Sequence, residues 1–328
     1  MRNIFDYKDN LHVMDHIPAM LKWGNIDGPK PDVSILMPVY NHPHFFKIAL
    51  ETALNQDYQG NYEIIVLDNN QDDDVDSINE FEKYVIEKND SKVLYYKNKK
   101  NIQGINSYNR LPQLARADYF TFLHDDDELT HNCLSVLMKI KVDKKLTNEL
   151  IVPTMNIIDA DSNIIRKARK SDPLFVLFKS YRTKMYDWFL KNYTNGCGTL
   201  HSKKAFIELG GYNSEYIPVA DYAFYSLYVY KYGGIALGDT LFNYRIAEND
   251  SKIVYKKSAE NGVLIRSYIK EKIKLPNVFL ERIIKAKKKI NLNRNEKLFV
   301  GSTQDKVKKS DRIIFTLAYV IKFVWHLF

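Results

Sequence analysis

The stretch Tyr119-Phe-Thr-Phe-Leu123, followed at once by His124-Asp125-Asp126-Asp127, decides how this chain is read. Five apolar or β-favouring residues predict a buried strand. They end abruptly on an imidazole and three consecutive carboxylates. Adjacent carboxylates repel one another, and a divalent cation or a dense set of hydrogen bonds would relieve that. Taken alone, the run suits a solvated turn or a helix cap equally well, because Asp favours both.

Toward the N-terminus the pattern of apolar run and polar stop recurs. Val33-Ser-Ile-Leu-Met37 predicts a strand that stops at Pro38, and Tyr62-Glu-Ile-Ile-Val-Leu67 a second that ends on Asp68. Lys92-Val-Leu-Tyr-Tyr96 predicts a third. Between them, apolar residues at 45, 48, 49 and 53 mark a helix over Phe45–Leu54. Further helices are expected over Ser77–Ile86 and Ile105–Ala115, the latter weakened by Pro112. Strand and helix alternate for about 125 residues, which predicts an α/β fold with a mostly parallel central sheet and flanking helices. In such sheets the carboxyl ends of the strands form the ligand crevice. Tyr40, Asn41, Asp68, Asn69 and the Asp125 cluster occupy those positions.

Beyond residue 140 the pattern loosens. Leu150-Ile-Val152 suits a strand, while residues 164–195 are basic and aromatic without a period. A short helix is expected over Ser202–Leu209, and an aromatic one over Asp221–Tyr232 that stops at Gly233-Gly234. Residues 257–312 are rich in Lys and Arg and helical in pattern. This gives a leader over 1–30, an α/β domain over 31–255 and a helical basic C-terminal extension over 256–328.

The formal charge is +8 over 328 residues, with Lys and Arg outnumbering Asp and Glu 48 to 40. That balance admits nucleic acid, anionic membrane or phosphorylated substrates. The basic residues lie mainly in the C-terminal third, away from the acidic crevice, which argues against nucleic acid. Two distant cysteines, Cys133 and Cys197, offer neither a zinc spacing nor a disulfide framework and favour a reducing compartment. The N-terminal residues lack a secretory apolar core, and no apolar stretch is long enough for a clean membrane span. Ile313–Ile321 and Phe323–Phe328 are apolar around Lys322, with Lys306, Lys308, Lys309 and Arg312 just before them. Residues 311–328 therefore suit a membrane-interface helix. A helix packed on the protein or on a partner subunit suits them equally.

At this point the residues carry a resemblance. Ser34-Ile-Leu-Met-Pro-Val-Tyr-Asn41 resembles the opening strand of family 2 glycosyltransferases, which have the GT-A fold. Gln56, Tyr62-Glu-Ile-Ile-Val-Leu-Asp68, Asn101-Ile-Gln-Gly104, Asn109 and Tyr119–Asp127 continue in the family's order, and the likeness covers roughly residues 32–250. The resemblance implies that Pro38, Tyr40, Asn41 and Asn109 lie in the donor site and that Asp68 contacts the base. It implies that Asp125, Asp126 and Asp127 form the DxD-type motif holding Mg2+ or Mn2+ and the donor diphosphate. His124 stands where many relatives have Asp, so the register is open by one residue, with Asp126 in the motif either way. Gly210-Gly211-Tyr212 and Ala220-Asp221-Tyr222 resemble a later pair of segments, and Asp221 matches the catalytic base although Ala220 replaces an acid. Arg245 becomes a diphosphate contact. Ala247 stands in place of an expected His, with Glu248 as a substitute ligand. Gly196-Cys-Gly198-Thr199 resembles an acceptor-facing region, and His42 and His44 remain unassigned.

The function implied is transfer of a sugar, with inversion, from a nucleotide-diphosphate donor (UDP-sugar favoured) to a saccharide or lipid-linked acceptor. Its setting would be bacterial surface-polysaccharide synthesis in the cytoplasm or at the inner face of the cell membrane. Two other readings stay open. One is a catalytically inactive, membrane-associated assembly protein. The other is a sugar nucleotidyltransferase, which would need a Gly-rich phosphate loop where Pro38–Asn41 stands.

Overall fold

Every residue of the strands Val33–Val39 and Tyr62–Asp68 is buried. Unbroken burial is what a central parallel strand experiences when helices cover both faces. The computed structural model describes residues 3–70, 78–168, 174–193, 196–246, 251–299 and 307–327. The first part holds β1 (Ala19–Trp23), β2 (Val33–Val39), α1 (Pro43–Leu54), β3 (Tyr62–Asp68), α2 (Glu80–Lys88), β4 (Val93–Asn98), α3 (Gly104–Leu114) and β5 (Tyr119–Phe122). Next come β6 (Glu128–Leu129), α4 (Cys133–Asp143), β7 (Leu150–Ile158), β8 (Ile164–Arg166), α5 (Leu174–Leu177), β9 (Ser180–Thr183) and α6 (Met185–Leu190). The remainder is β10 (His201–Ser202), α7 (Lys203–Glu208), α8 (Ala220–Tyr232), β11 (Gly234–Arg245), α9 (Ser251–Lys270), α10 (Asn277–Phe299) and α11 (Lys309–Leu327).

One sheet has the order β1-β4-β3-β2-β5-β10, and its four inner strands run parallel. Val39 sits opposite Asp68, and Leu36 opposite Phe122. The carboxyl ends of β2, β3 and β5 therefore meet at one edge. A second sheet runs β6-β11-β7-β8, with β9 also on β11. Through β6 and the end of β11 it closes over the same edge.

The strand expected to stop at Pro38 runs on to Val39. Pro38 has no N–H to give, but β5 pairs only with Ser34–Leu36, so none is needed on that side. The helix expected from Ser77 starts at Glu80, where Asn79 accepts from the amides of Phe81 and Glu82. Ser77 and Asp72–Asp74 lie outside the described residues.

Alternate residues feed two cores. Leu36, Ile65, Leu67, Phe120 and Phe122 join one with side chains from α3, α7, α8, α9 and α10. Ile35, Met37, Ile64, Val66 and Val93 join the other with α1, α2 and α4. Burying an aliphatic or aromatic side chain of this size contributes roughly 1.5–3 kcal/mol. The leader is woven in: β1 pairs antiparallel with β4 at the sheet edge, and the Asn10 amide donates to Gly210 O at 2.9 Å.

Among the described residues no helix is long and apolar enough to cross a membrane. Helix α11 lies against α10 and α6. Its one central charge, Lys322, turns inward and is 2 % exposed. Ile313, Leu317, Val320, Val324 and Leu327 face outward, each about half exposed.

Candidate active site

The acidic turn is built by β5 and held from behind by β11. Leu123 N still donates to Leu36 O at 3.0 Å, after which the chain turns, with Asp127 N reaching back to His124 O. Asp125 Oδ2 accepts from the backbone amide of Tyr40 at 2.8 Å, which ties the turn to the end of β2. Asp127 is fully buried, and its Oδ1 accepts from the amide of Arg245 at 2.9 Å.

Arg245 does not reach toward a diphosphate. Its guanidinium is 1 % exposed, and all five N–H donors are engaged inside the protein. Nε donates to Asp126 O, the Nη1 group to Asp159 O and Ala160 O, and the Nη2 group to Glu128 Oε1 and Ser162 Oγ. Phe45 packs on its face at 4.8 Å. The planar fork that suits phosphate suits this nest of carbonyls as well.

The turn is electrostatically tense. Burial, aided by Asp126, pushes the Asp125 carboxyl up to about 7. Burial and the neighbouring Asp127 raise Asp126 to about 6. Burial alone would lower the His124 imidazolium, but its contact with Asp127 and the surrounding carboxylates outweigh burial and raise it to about 9. His124, Asp126 and Asp127 each offer a ligand atom within 4.8 Å of the others. Asp127 Oδ2 is buried and receives no hydrogen bond, although His124 Nδ1 lies 3.0 Å away. A buried carboxylate oxygen whose one near partner is an imidazole, among convergent O and N donors, fits a divalent cation. Asp125, expected among the ligands, is drawn aside by Tyr40, and His124 takes its place in the cluster.

Asp221 opens α8. It is partly exposed, and its Oδ2 accepts from Asn192 Nδ2 at 3.1 Å. Burial raises its carboxyl to about 6, against opposing effects from the Tyr222 amide, from Asn192 and from His124. A carboxyl in that range is balanced between holding and taking a proton near neutral pH. Between α8 and the acidic turn lies Gly196, at the start of the segment Gly196–Thr199. Gly198 N donates to Phe122 O at 3.1 Å. Gly196 has φ +100, and a Cβ there would lie 3.2 Å from the Tyr225 hydroxyl and 3.7 Å from His124 Nε2. Beneath them the Tyr225 hydroxyl bonds both Tyr212 and His201.

The other expected residues divide into two groups. Tyr40, 46 % exposed, and Asn41, at φ +60, remain at the open edge, with the buried Pro38 just behind. Asp68 and Asn109 turn inward. Asp68 is fully buried, and its carboxylate accepts from Asn70 twice, from Asn79 and from Tyr95. Asn109 donates to Asn10 O and Tyr212 O and accepts from Tyr212 N. Any Cβ at Gly211 would lie 2.6 Å from the Asn109 oxygen, so that glycine is required by closeness as well as by its φ of +71. Ala247 and Glu248 lie outside the described residues.

Two contributors escaped the sequence. His42, at the N-cap of α1, helps hold the Asp126 carboxyl down. Its place just past the end of β2 was a signal for this. Asn192 sits in the aperiodic stretch and carried none.

The family model described as "Glycosyl transferase family 2" matches residues 34–210, more than half of the chain. The chain belongs to glycosyl transferase family 2. One relative, the GalNAc(5)-diNAcBac-PP-undecaprenol beta-1,3-glucosyltransferase of Campylobacter jejuni, is 36% identical over 33% of this chain and 34% of its own length. The putative colanic acid biosynthesis glycosyl transferase WcaA of Escherichia coli is 35% identical over 34% of this chain and 38% of its own. The matched part thus spans about a third of each of these curated relatives. Among solved structures, the mannosyltransferase PcManGT of Pyrobaculum calidifontis, in complex with GDP-Man and Mn2+, aligns with a TM-score of 0.58. That alignment is 14% identical and covers 93% of this chain and 90% of that one. The fold of this family 2 chain is accordingly GT-A.

Proposed function

We propose that this protein moves a sugar from a nucleoside diphosphate donor to a hydroxyl of a saccharide or lipid-linked acceptor, with inversion at the anomeric carbon. One observation carries the reading: the convergent His124, Asp126 and Asp127 lie across Gly196 from α8, the helix that Asp221 opens, a Cβ at Gly196 meeting His124 Nε2 at 3.7 Å on one side and the Tyr225 hydroxyl at 3.2 Å on the other. An anchor for a cation and diphosphate therefore shares one neighbourhood with a carboxylate fit to serve as base.

In this mechanism Asp221 takes the proton of the acceptor hydroxyl as its oxygen attacks the anomeric carbon. The bond from that carbon to the diphosphate oxygen breaks, and its electron pair leaves with the diphosphate. His124, Asp126 and Asp127 would hold the cation, Mg2+ or Mn2+, which supplies positive charge to the departing diphosphate. Tyr40 and Asn41 border the nucleotide, and Asp125 fixes their loop through the Tyr40 amide. Asp68, Asn109 and Arg245 shape the site from behind. Holding the two reactants in line supplies much of the rate.

The printed names of the relatives support a polysaccharide or lipid-linked setting. The outward stripe of α11 supports a place at an anionic membrane surface on the cytoplasmic side. That stripe carries no charge from Ile313 to Leu327, while Lys308, Lys309 and Arg312 are exposed at its start. Apolar residues entering the headgroup region beside basic ones is how interfacial helices bind.

The test is release of nucleoside diphosphate from a panel of UDP- and GDP-sugars with Mn2+ or Mg2+. Wild-type protein should release it from one donor, and Asp221→Asn should bind that donor yet release under 1% as fast, within the usual worth of a general base. Failure of every donor, or normal turnover by Asp221→Asn, overturns the reading.

A further inference from the structure

The Asp221 carboxylate is held at the start of α8 by the Tyr222 amide and its own amide, and from outside that helix by a side chain. The one side chain seen donating to its carboxylate is Asn192, at 3.1 Å on Oδ2. Asn192 lies just past α6 on a segment without regular structure, and such a segment needs an outside hold to keep one amide aimed at one oxygen. That hold is one residue away. The Tyr193 hydroxyl receives Lys322 Nζ at 2.8 Å and meets the Tyr181 hydroxyl at 3.1 Å.

Lys322 belongs to α11, more than a hundred residues further along the chain. Its ammonium also donates to Tyr181 at 3.0 Å and lies 3.6 Å from Asp187 Oδ1. Asp187, 1 % exposed, accepts from Lys184 N at 2.6 Å and faces His326 Nε2 at 2.9 Å. A buried ion pair of this kind contributes little net stability, because desolvation offsets the attraction, and its best-attested use is to fix register. Here it joins α11 to α6, and the tyrosine pair carries the link to the residue beside Asn192.

We propose that Asn192 is the positioning residue for the Asp221 carboxylate, and that Lys322 of α11 holds Asn192 in place through Tyr193. Asn192 binds one oxygen of Asp221 and so aims the other at the acceptor hydroxyl. This rests on Asp221 being the base, and it goes beyond that reading by making the C-terminal helix part of the catalytic apparatus. The remaining groups around Asp221 are His124 after β5, the buried Tyr212 hydroxyl ahead of α8, and Tyr222 and Tyr225 of α8 itself.

The experiment has two readouts. The first is a carboxyl 13C titration of Asp221 in the full-length protein, which needs no donor. Asn192→Ala should raise the Asp221 midpoint by about one unit, the worth of a hydrogen bond to a charged group. Lys322→Met should raise it in the same direction by less. The second is the pH dependence of nucleoside diphosphate release from the donor found active. Both variants should move the acid limb upward and lower kcat about 10-fold or more, with donor KM unchanged. Asn192→Gln should recover part of the shift.

An unmoved Asp221 midpoint in Asn192→Ala overturns the positioning role. A lower melting temperature in Lys322→Met with an unmoved midpoint overturns the part assigned to α11. Should Lys322→Met fail to fold, Lys322→Arg keeps the charge while altering the reach to Tyr193, and it is judged by the same midpoint. A shifted midpoint with no turnover in wild-type protein would instead locate the error in the base assignment.

Discussion

His124 Nδ1 and Asp127 Oδ2 lie 3.0 Å apart, yet Asp127 Oδ2 accepts no hydrogen bond. Two ligands at right angles around a small divalent cation, each about 2.1 Å from it, are separated by about that distance. Imidazole suits Mn2+ and its heavier neighbours better than Mg2+, which prefers oxygen. Calorimetric titration of Mn2+ and Mg2+ in the presence of UDP should therefore favour Mn2+. His124→Ala should weaken Mn2+ at least 10-fold, and His124→Asp should narrow the preference toward Mg2+. Equal Mn2+ affinity in His124→Ala would remove His124 from the ligand set.

The raised Asp221 carboxyl predicts both a pH profile and a stability effect. The base must be ionised, so kcat should fall as pH drops through about 6 and level off above it. The folded-state value lies above the ordinary 3.8, so the ionised side chain costs stability above about 6, and that cost fades toward pH 4. Asp221→Asn should consequently melt higher than wild type at pH 7.5, with the gap closing at pH 4. A mutant that melts lower at pH 7.5 would contradict the burial argument.

Arg245 separates two roles by their signatures. A diphosphate contact would lose donor affinity when removed and leave the fold intact. Five inward hydrogen bonds and the contact with Glu128 predict the reverse emphasis. Arg245→Met should cost about 3–5 kcal/mol in urea unfolding, as breaking a buried pair does. Lys cannot span the same carbonyls, so Arg245→Lys should recover little.

For α11 the expected partner is a vesicle containing phosphatidylglycerol. Co-sedimentation should fall sharply in Leu317→Glu and Val320→Glu and with rising salt. Vesicle binding equal to wild type would discard the membrane reading, and a concentration-dependent dimer lost in those variants would show a second copy on the stripe instead.

Much of the fold was legible because β2, β3 and β5 are covered on both faces. Their sequences are nearly continuous apolar runs, and their polar stops mark the carboxyl edge of the sheet. Pro38 misled only locally, since its missing donor faces no partner. What the sequence could not convey is direction. Nothing in Asn243-Tyr-Arg245 says whether the guanidinium points out at phosphate or in at Asp159 and Ala160. That depends on β11 pairing with β6 and β7, each far away in the chain. Asp68 and Asn109 pose the same problem, because a polar residue at a strand end or on a helix reads alike whether it serves ligand or scaffold. His124 was visible as a departure, but its grouping with Asp126 and Asp127 needed the turn in three dimensions.

The pairing of β1 with β4 has a practical consequence for anyone dividing this chain. A protein trimmed to the family match at residues 34–210 would lose β1, Asn10 and α8–α10. The bare hydrogen-bonding rim of β4 would then be open to other chains, the Asn109 amide would lose both of its acceptors, Asn10 O and Tyr212 O, and one face of the sheet would be stripped of most of its cover. Such a fragment should precipitate rather than work. The segment that identifies the family is smaller than the body that can fold.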